Sequence, residues 1–263
     1  MATVLAISSH VVRGHVGLDA SVPALQALGH EVWAVPTVMF ASRPGLGRLQ
    51  RFELPAPEIG ALLSALDADQ CWRRLDGVLT GYFPSAAAVA AAAEAVARIK
   101  AANPSVQVLV DPILGDAGSL YVAPDTAAAI RDRLLPLADV ATPNLFELGW
   151  LSGRALGDRA AIVEAARRLG PPAAVVTSAL ESGGEIATLL VGAGAVVERR
   201  AGKRSGIPNG AGDLFAGLLL GHLLGGQTLE GALGASLAGL EAVLAASVDA
   251  PVLNLAALLR KSP

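Results

Sequence analysis

Short apolar runs rich in β-branched residues alternate along this chain with Ala- and Leu-rich stretches of helical period, the pattern of repeated βαβ units around a mostly parallel sheet. The runs Thr3–Ile7, Glu31–Val35, Gly77–Thr80, Gln107–Val110, Val140–Ala141 and Ala173–Thr177 read as strands. Between them Asp19–Leu28, Pro57–Asp67, Ala86–Ala101, Asp125–Leu135, Asn144–Ser152 and Arg159–Leu169 read as helices. The alanine-dense third helix carries Glu94, Arg98 and Lys100 on a wet face, so it is a surface helix and not low-complexity sequence. After Ser178, Ile186–Val191 and Ala195–Arg200 are joined by Gly192-Ala193-Gly194, which is hairpin chemistry, and Asp213–Leu224 and Leu229–Ser247 close the chain as a helical pair. Neither a repeat nor a linker interrupts the pattern, and 263 residues suffice for one large core, so residues 1–263 are expected to form a single domain.

Composition bears on partners. Apolar residues make up 53% and charged residues 16%, with a formal charge of −3, which describes a soluble globular protein with no electrostatic bias toward nucleic acid. The densest basic group, Arg199-Arg200 with Lys203-Arg204, is short enough for a solvated or phosphate-facing loop. Cys71 is the single cysteine, which excludes an intrachain disulfide and a thiolate metal cage and fits a reducing cytoplasm. No basic leader precedes the first apolar run, which Ser8-Ser9-His10 interrupts, and Leu214–Leu224 is too short to span a bilayer; neither a signal peptide nor a membrane segment is expected.

The chemistry concentrates at Gly210-Ala211-Gly212-Asp213, between a polar segment and a strongly apolar helix. Small residues there make a bare backbone turn at a helix N-terminus, whose free N–H groups and positive dipole end suit a phosphoryl group in transit. Asp213 in the first turn can then accept a proton from a substrate hydroxyl. Composition alone favours a plainer reading, a capping carboxylate beside a tight turn. The chain has no Gly-x-x-x-x-Gly-Lys-Ser/Thr loop, so a P-loop nucleotide site is not available to it.

A second cluster, Asp111-Pro112-Ile113-Leu114-Gly115-Asp116, follows a strand and puts two carboxylates at its C-terminal end, where open α/β sheets bind ligands. Thr142-Pro143-Asn144-Leu145-Phe146-Glu147 follows the next strand and adds an amide and a carboxylate at the same edge. Such oxygen groups suit a hydrated Mg²⁺ beside a triphosphate. Asp111 also reads as an Asx turn ahead of proline, and Asn144 with Glu147 as a helix N-cap and its capping-box partner; capping and metal support are compatible.

The segment Pro208-Asn209-Gly210-Ala211-Gly212-Asp213-Leu214-Phe215-Ala216-Gly217 resembles the signature of the ribokinase superfamily of sugar and vitamin kinases. Within it, 9–17, Leu79-Thr80-Gly81-Tyr82, 111–116, 137–144 with Leu151-Ser152-Gly153-Arg154, Val176-Thr177-Ser178 and the Asp213 turn all resemble the pyridoxal kinase family, in that family's order. The resemblance implies a ribokinase-like three-layer α/β/α sandwich with a mostly parallel central sheet. It implies ATP and Mg²⁺ as cofactors, together with a monovalent cation such as K⁺, a B6 vitamer as substrate, and a cytoplasmic homodimer. Asp213 would deprotonate the 5′-hydroxyl of pyridoxal while the N–H groups of Gly210, Ala211 and Gly212 steady the phosphoryl group. Asp111, Asp116 and Glu147 would organise the metal, and Thr142, Asn144, Thr177 and Ser178 would line the phosphate side. Ser9 would hydrogen-bond the pyridine ring, with Val16 packed near it and Tyr82 enclosing it. Without the family, Ser9 reads as a strand-end serine, Val16 as core and Tyr82 as a surface aromatic.

The chain departs from the family pattern in two places. Leu18 stands where the family carries Asn, and Phe40-Ala41-Ser42-Arg43-Pro44-Gly45 replaces a stretch, Phe-Ser-Asn-His-Thr, that helps close over the substrate. Pro44 offers no donor and no hydroxyl, which leaves Arg43 to supply a different polar contact, or the loop to accept a related hydroxymethyl heterocycle. A hydroxymethylpyrimidine kinase, a sugar kinase and a catalytically idle B6-binding protein are the alternative readings.

Overall fold

A computed structural model describes residues 1–43, 45, 46, 48, 50–116 and 118–259; Pro44 lies outside the described residues. The strands are β1 (Thr3–Val11), β2 (Glu31–Phe40), β3 (Arg51–Glu53), β4 (Gly77–Thr80), β5 (Gln107–Val110), β6 (Gly115–Asp116), β7 (Ser119–Leu120), β8 (Val140–Ala141), β9 (Ala173–Ser182), β10 (Glu185–Val191) and β11 (Val197–Gly202). The helices are α1 (Leu18–Ala27), α2 (Ala56–Ala68), α3 (Ala86–Ala102), α4 (Pro124–Ala129), α5 (Leu145–Ser152), α6 (Arg159–Arg167), α7 (Ala211–Leu224) and α8 (Leu229–Ala245). One sheet runs in the order β11-β10-β9-β8-β5-β4-β1-β2-β3. Its middle, from β9 to β2, is parallel, and antiparallel partners finish both edges.

Strands buried on both faces explain why the central runs are apolar without polar alternation. Along β1, Val4 and Ala6 face one way and pack with Phe215, Leu219 and Leu220 of α7. Leu5 and Ile7 face the other way and pack with Val89, Val96 and Ile99 of α3. Local chemistry starts the helices. The Ser85 hydroxyl accepts from the Ala88 N–H at 3.2 Å to begin α3, and Thr228 and Asp158 cap α8 and α6 in the same way.

The expected elements form, but β1, β2 and β9 run past their expected ends at Ile7, Val35 and Thr177 to Val11, Phe40 and Ser182, β6 and β7 are additions, and three further differences have a local cause. The helix expected at Asp125–Leu135 ends as α at Ala129 and continues as a π-turn, Ile130–Leu134, and a 3₁₀ turn, Leu135–Leu137. Pro136 cannot donate the N–H that a regular α-helix needs there. The second hairpin strand begins two residues later than expected, at Val197, because 192–196 is loop. The short edge strand β3 has no apolar run to announce it, since all three of its residues are exposed. Among the described residues no helix is long and apolar enough to cross a membrane.

Two helices on one face position the chemistry. Helices α1 and α7 approach so closely that a Cβ on Gly217 would meet the Ser21 carbonyl oxygen at 2.7 Å and its Cα at 2.9 Å. That contact sets the foot of α7 against the loop that leads into α1. Gly217→Val is therefore expected to destabilise the fold by about 2 kcal/mol, read from urea unfolding, because rigid backbone rather than a flexible side chain must give way.

Candidate functional site

The site lies along the C-terminal edge of the parallel strands. At its centre α7 begins at Gly210, which has φ 111° and no side-chain cap. A Cβ there would collide with the carbonyl oxygen of His15, so only glycine lets the turn seat directly on the 11–17 loop. Among the described residues the N–H groups of Ala211 and Gly212 have no acceptor in the protein. Gly212 is exposed, so the turn is open to a ligand as expected.

Asp213 sits half-buried in the first turn of α7, where its carboxylate accepts the Gly17 N–H and its own N–H. Burial outweighs these two donors and, with help from Asp19, pushes its carboxyl up to about 6. It shares a narrow cavity with Ser8, Ser21, Thr80, Gly81 and Asp111. Asp111 accepts the Thr142 hydroxyl at 2.8 Å. Burial first, then the negative charges of Glu147 and Asp213, hold its carboxyl well above the usual carboxylate range.

Glu147 is held from three sides. One oxygen accepts the Leu114 N–H at 2.9 Å, the other the Asn144 N–H at 2.8 Å, and the Gly115 N–H adds a third donor. Asn144 returns the favour by accepting the Glu147 N–H at 2.9 Å, which completes the capping box of α5, and its amide donates to the Gly115 carbonyl at 2.9 Å. Burial still pushes the Glu147 carboxyl up to about 7. The capping reading of this pair therefore holds, with the box fully formed.

Among the described residues no three His, Cys, Asp or Glu side chains stand close enough to hold an ion by themselves. Asp111, Asp116 and Glu147 are thus neighbours and not a preformed cage; Asp116 is exposed and acts on Glu147 through its charge. The donor set nevertheless suits a cation, because its carboxyl and hydroxyl oxygens are the hard donors that a hydrated Mg²⁺ takes. Thr177 forms a bridge with Asn144, and the exposed Ser178, with φ 49°, continues the same edge.

At the other end Val11, Val38 and Phe40 form a small apolar cluster against which Val16 and Tyr82 pack. The Phe40 and Tyr82 rings meet edge-on, with centroids 6.1 Å apart. Tyr82 is fixed through its backbone, donating to the Ser8 hydroxyl at 3.0 Å and accepting the Thr37 hydroxyl at 2.7 Å. Ser9 is buried beside Gly17. Arg43 stands apart, because its Nε and Nη2 donate to the Pro251 carbonyl at 3.3 and 2.7 Å. A larger depression of about 900 Å³ is lined by His10, Arg13, Asp19 and Met39 among others, and by none of Ser9, Phe40, Tyr82 or Asp213.

The sequence reading passed over Asp19 and Thr80. Asp19 accepts the Val11 N–H at 2.6 Å and pairs with His10 at 2.9 Å, fixing the loop that carries Val16; only its place in the first turn of a helix was legible. The Thr80 hydroxyl is buried without a hydrogen-bond partner in the protein and borders the cavity between the two aspartates. It lies inside a quoted motif, but nothing local distinguishes it from a strand residue.

The raised carboxyls predict a pH dependence of stability. Because the folded chain holds protons on Glu147 and Asp213 that the unfolded chain has released above about pH 4.5, folding binds protons between there and about pH 7. Stability of the nucleotide-free protein is expected to be greatest below that window and to fall by about 1–3 kcal/mol as pH rises through 7. Chemical unfolding at pH 5 and pH 8 checks it, and equal or greater stability at pH 8 would contradict the burial of these carboxyls.

The profile of the phosphomethylpyrimidine kinase family matches residues 14–251. A pyridoxal kinase of Rubrobacter xylanophilus is 37% identical over 256 residues, 92% of this chain and 86% of that protein. Among solved structures, pyridoxal kinase from Entamoeba histolytica superposes with a TM-score of 0.92 at 26% identity, covering 98% of this chain and 94% of the other. Pyridoxal kinase from Leishmania donovani in complex with ADP and pyridoxamine gives 0.90 at 28% identity, covering 97% and 94%. With its ribokinase-like sheet, its open turn before Asp213 and these relatives, the chain belongs to the pyridoxal kinase family of small-molecule kinases.

Proposed function

We propose that this chain transfers the terminal phosphoryl group of ATP to the 5′-hydroxymethyl group of pyridoxal and related B6 vitamers, working in the cytoplasm as a homodimeric kinase. The observation that carries the reading is the placement of Asp213. Its partly ionisable carboxylate stands in the first turn of a helix whose Ala211 and Gly212 N–H groups are open to an anion. The Leishmania relative, seen with ADP and pyridoxamine, supports the same pair of ligands.

In this mechanism the carboxylate of Asp213 accepts the proton of the substrate hydroxyl as its oxygen bonds to the γ-phosphorus and ADP leaves. The open N–H groups hold the migrating phosphoryl oxygens, aided by the positive end of the α7 dipole. Val16, Phe40 and Tyr82 supply apolar and aromatic walls, and Ser9 a polar anchor, suited to a flat, weakly basic ring. Asp111, backed by Thr142 and Glu147, is where Mg²⁺ would be held, and the ion would neutralise charge on the phosphate oxygens. Thr177 and Ser178 flank the phosphate side from the end of β9.

A second reading, a kinase of hydroxymethylpyrimidine, draws on the family profile and on Arg43, whose guanidinium donates to the Pro251 carbonyl. Assays of ATP consumption with pyridoxal, pyridoxine and hydroxymethylpyrimidine, with and without Mg²⁺ and K⁺, separate the two. Phosphate ester formed from pyridoxal supports the main reading, from the pyrimidine alone the second, and tight vitamer binding without turnover a carrier.

Asp213→Ala is expected to lower kcat at least ~10²-fold with nucleotide affinity largely intact, the scale of a lost general base. In the wild type, kcat/KM should fall as pH drops through about 6, because the protonated Asp213 cannot accept the hydroxyl proton. An unchanged rate in the alanine variant would remove Asp213 from the role of base.

A further inference from the structure

The segment between α8 and the 3₁₀ turn Leu255–Leu259 reaches three parts of the site that are remote from one another in sequence. Its Pro251 carbonyl accepts two donors of the Arg43 guanidinium, at 3.3 and 2.7 Å. Its Leu253 carbonyl meets the His15 ring at 2.7 Å; since a carbonyl only accepts, Nδ1 of His15 carries the hydrogen. Its Asp249 N–H donates to the Gly206 carbonyl at 2.9 Å, just ahead of the anion turn, and Leu253 is buried against that turn beside Gly210.

The segment is itself anchored. Ser247, fully buried in the last turn beyond α8, donates to the Val243 carbonyl and accepts the Asn254 N–H at 2.8 Å. Arg43 also joins the vitamer side directly, its N–H donating to the Arg13 carbonyl at 3.0 Å while its stem lies over Gly14. The β2–β3 hairpin, which contributes Phe40 to the substrate wall, is thus fastened through one side chain to a segment that also grips the substrate loop and the anion turn.

We propose that Arg43 is a positioning residue: it latches the β2–β3 hairpin to the 249–254 segment and, through it, to the Gly206–Gly210 turn, so that the vitamer and nucleotide ends of the site are ordered together. The latch rests on the kinase reading above, and it gives the departure at 41–45 a physical role. The guanidinium fork presents two donors to the Pro251 carbonyl, which a lysine reproduces with a single point charge. Ordering the segment on one side lowers the entropy that remains to be lost on the other, so each ligand should favour the other's binding.

The full-length wild type is compared with Arg43→Met, which keeps the stem and removes the donors, and with Arg43→Lys. KM for pyridoxal and ATP, kcat, and the calorimetric affinity for pyridoxal with and without saturating ADP are measured. Arg43→Met is expected to raise KM for pyridoxal about tenfold, the scale of one charge-assisted hydrogen bond, with kcat changed less than about twofold. ADP should tighten pyridoxal binding in the wild type, and this enhancement should vanish in Arg43→Met and return in part in Arg43→Lys. An enhancement that survives in Arg43→Met overturns the latch, whether KM is unchanged or has risen through a direct contact with substrate. Absence of turnover in the wild type would count against the kinase reading alone, since the binding comparison still reads the latch.

Discussion

The site exists because the two ends of the chain are pressed together at one point. The foot of α7 rests on the loop between β1 and α1, with Gly210 against the His15 carbonyl and the Gly17 N–H bonded to the carboxylate of Asp213. Neither contact is strong alone. They are held by the close packing of α1 and α7 and by the burial of Phe215, Leu219 and Leu220 against β1. β1 also carries Ser9 and leads to Val16, so these residues are tied to the same packing as Asp213. Phosphoryl transfer depends mainly on such positioning, so the stability of this helix pair and the competence of the site have a common origin.

The same geometry creates an electrostatic conflict. Parallel strands end on one edge, and the chain places Asp111, Glu147 and Asp213 there within reach of each other's charge. The conflict is relieved unequally. Glu147 receives three backbone N–H groups and starts a helix, while Asp213 receives two and keeps a carboxyl near 6, low enough to be ionised at neutral pH. Among the described residues Asp111 receives the Thr142 hydroxyl alone, and burial with the charges of Glu147 and Asp213 favours its protonated form. One carboxylate thus completes a helix cap, and the other two differ in the donors that reach them.

Much of this was legible because its signals are local. The central strands announce themselves as unbroken β-branched runs, the Asn144–Glu147 box by its spacing, and the anion turn by four consecutive small or acidic residues. What the sequence hides is pairing over distance. Nothing near Thr80 says that its hydroxyl will border a cavity shared with Asp111 and with residues of α7, and nothing near Arg43 says that it will reach Pro251. The helix that changes type before Pro136 failed for a related reason, since periodicity reports an apolar face and not the hydrogen bond that proline withholds.

The segment at 41–45 and the turn at 210–213 sit in different mechanical surroundings. The edge that meets the Asp213 turn is formed by strands covered on both faces, with α3 packed on one side and α7 on the other. The hairpin that shapes the substrate wall hangs on the last pair of the sheet, where all of β3 is exposed and few packing contacts record a change. Residues there can be exchanged without moving Asp213, provided that something still fixes the hairpin's distance from the anion turn. An arginine long enough to reach a segment already bound to that turn meets the requirement, and it acts on recognition while leaving the proton transfer where it was.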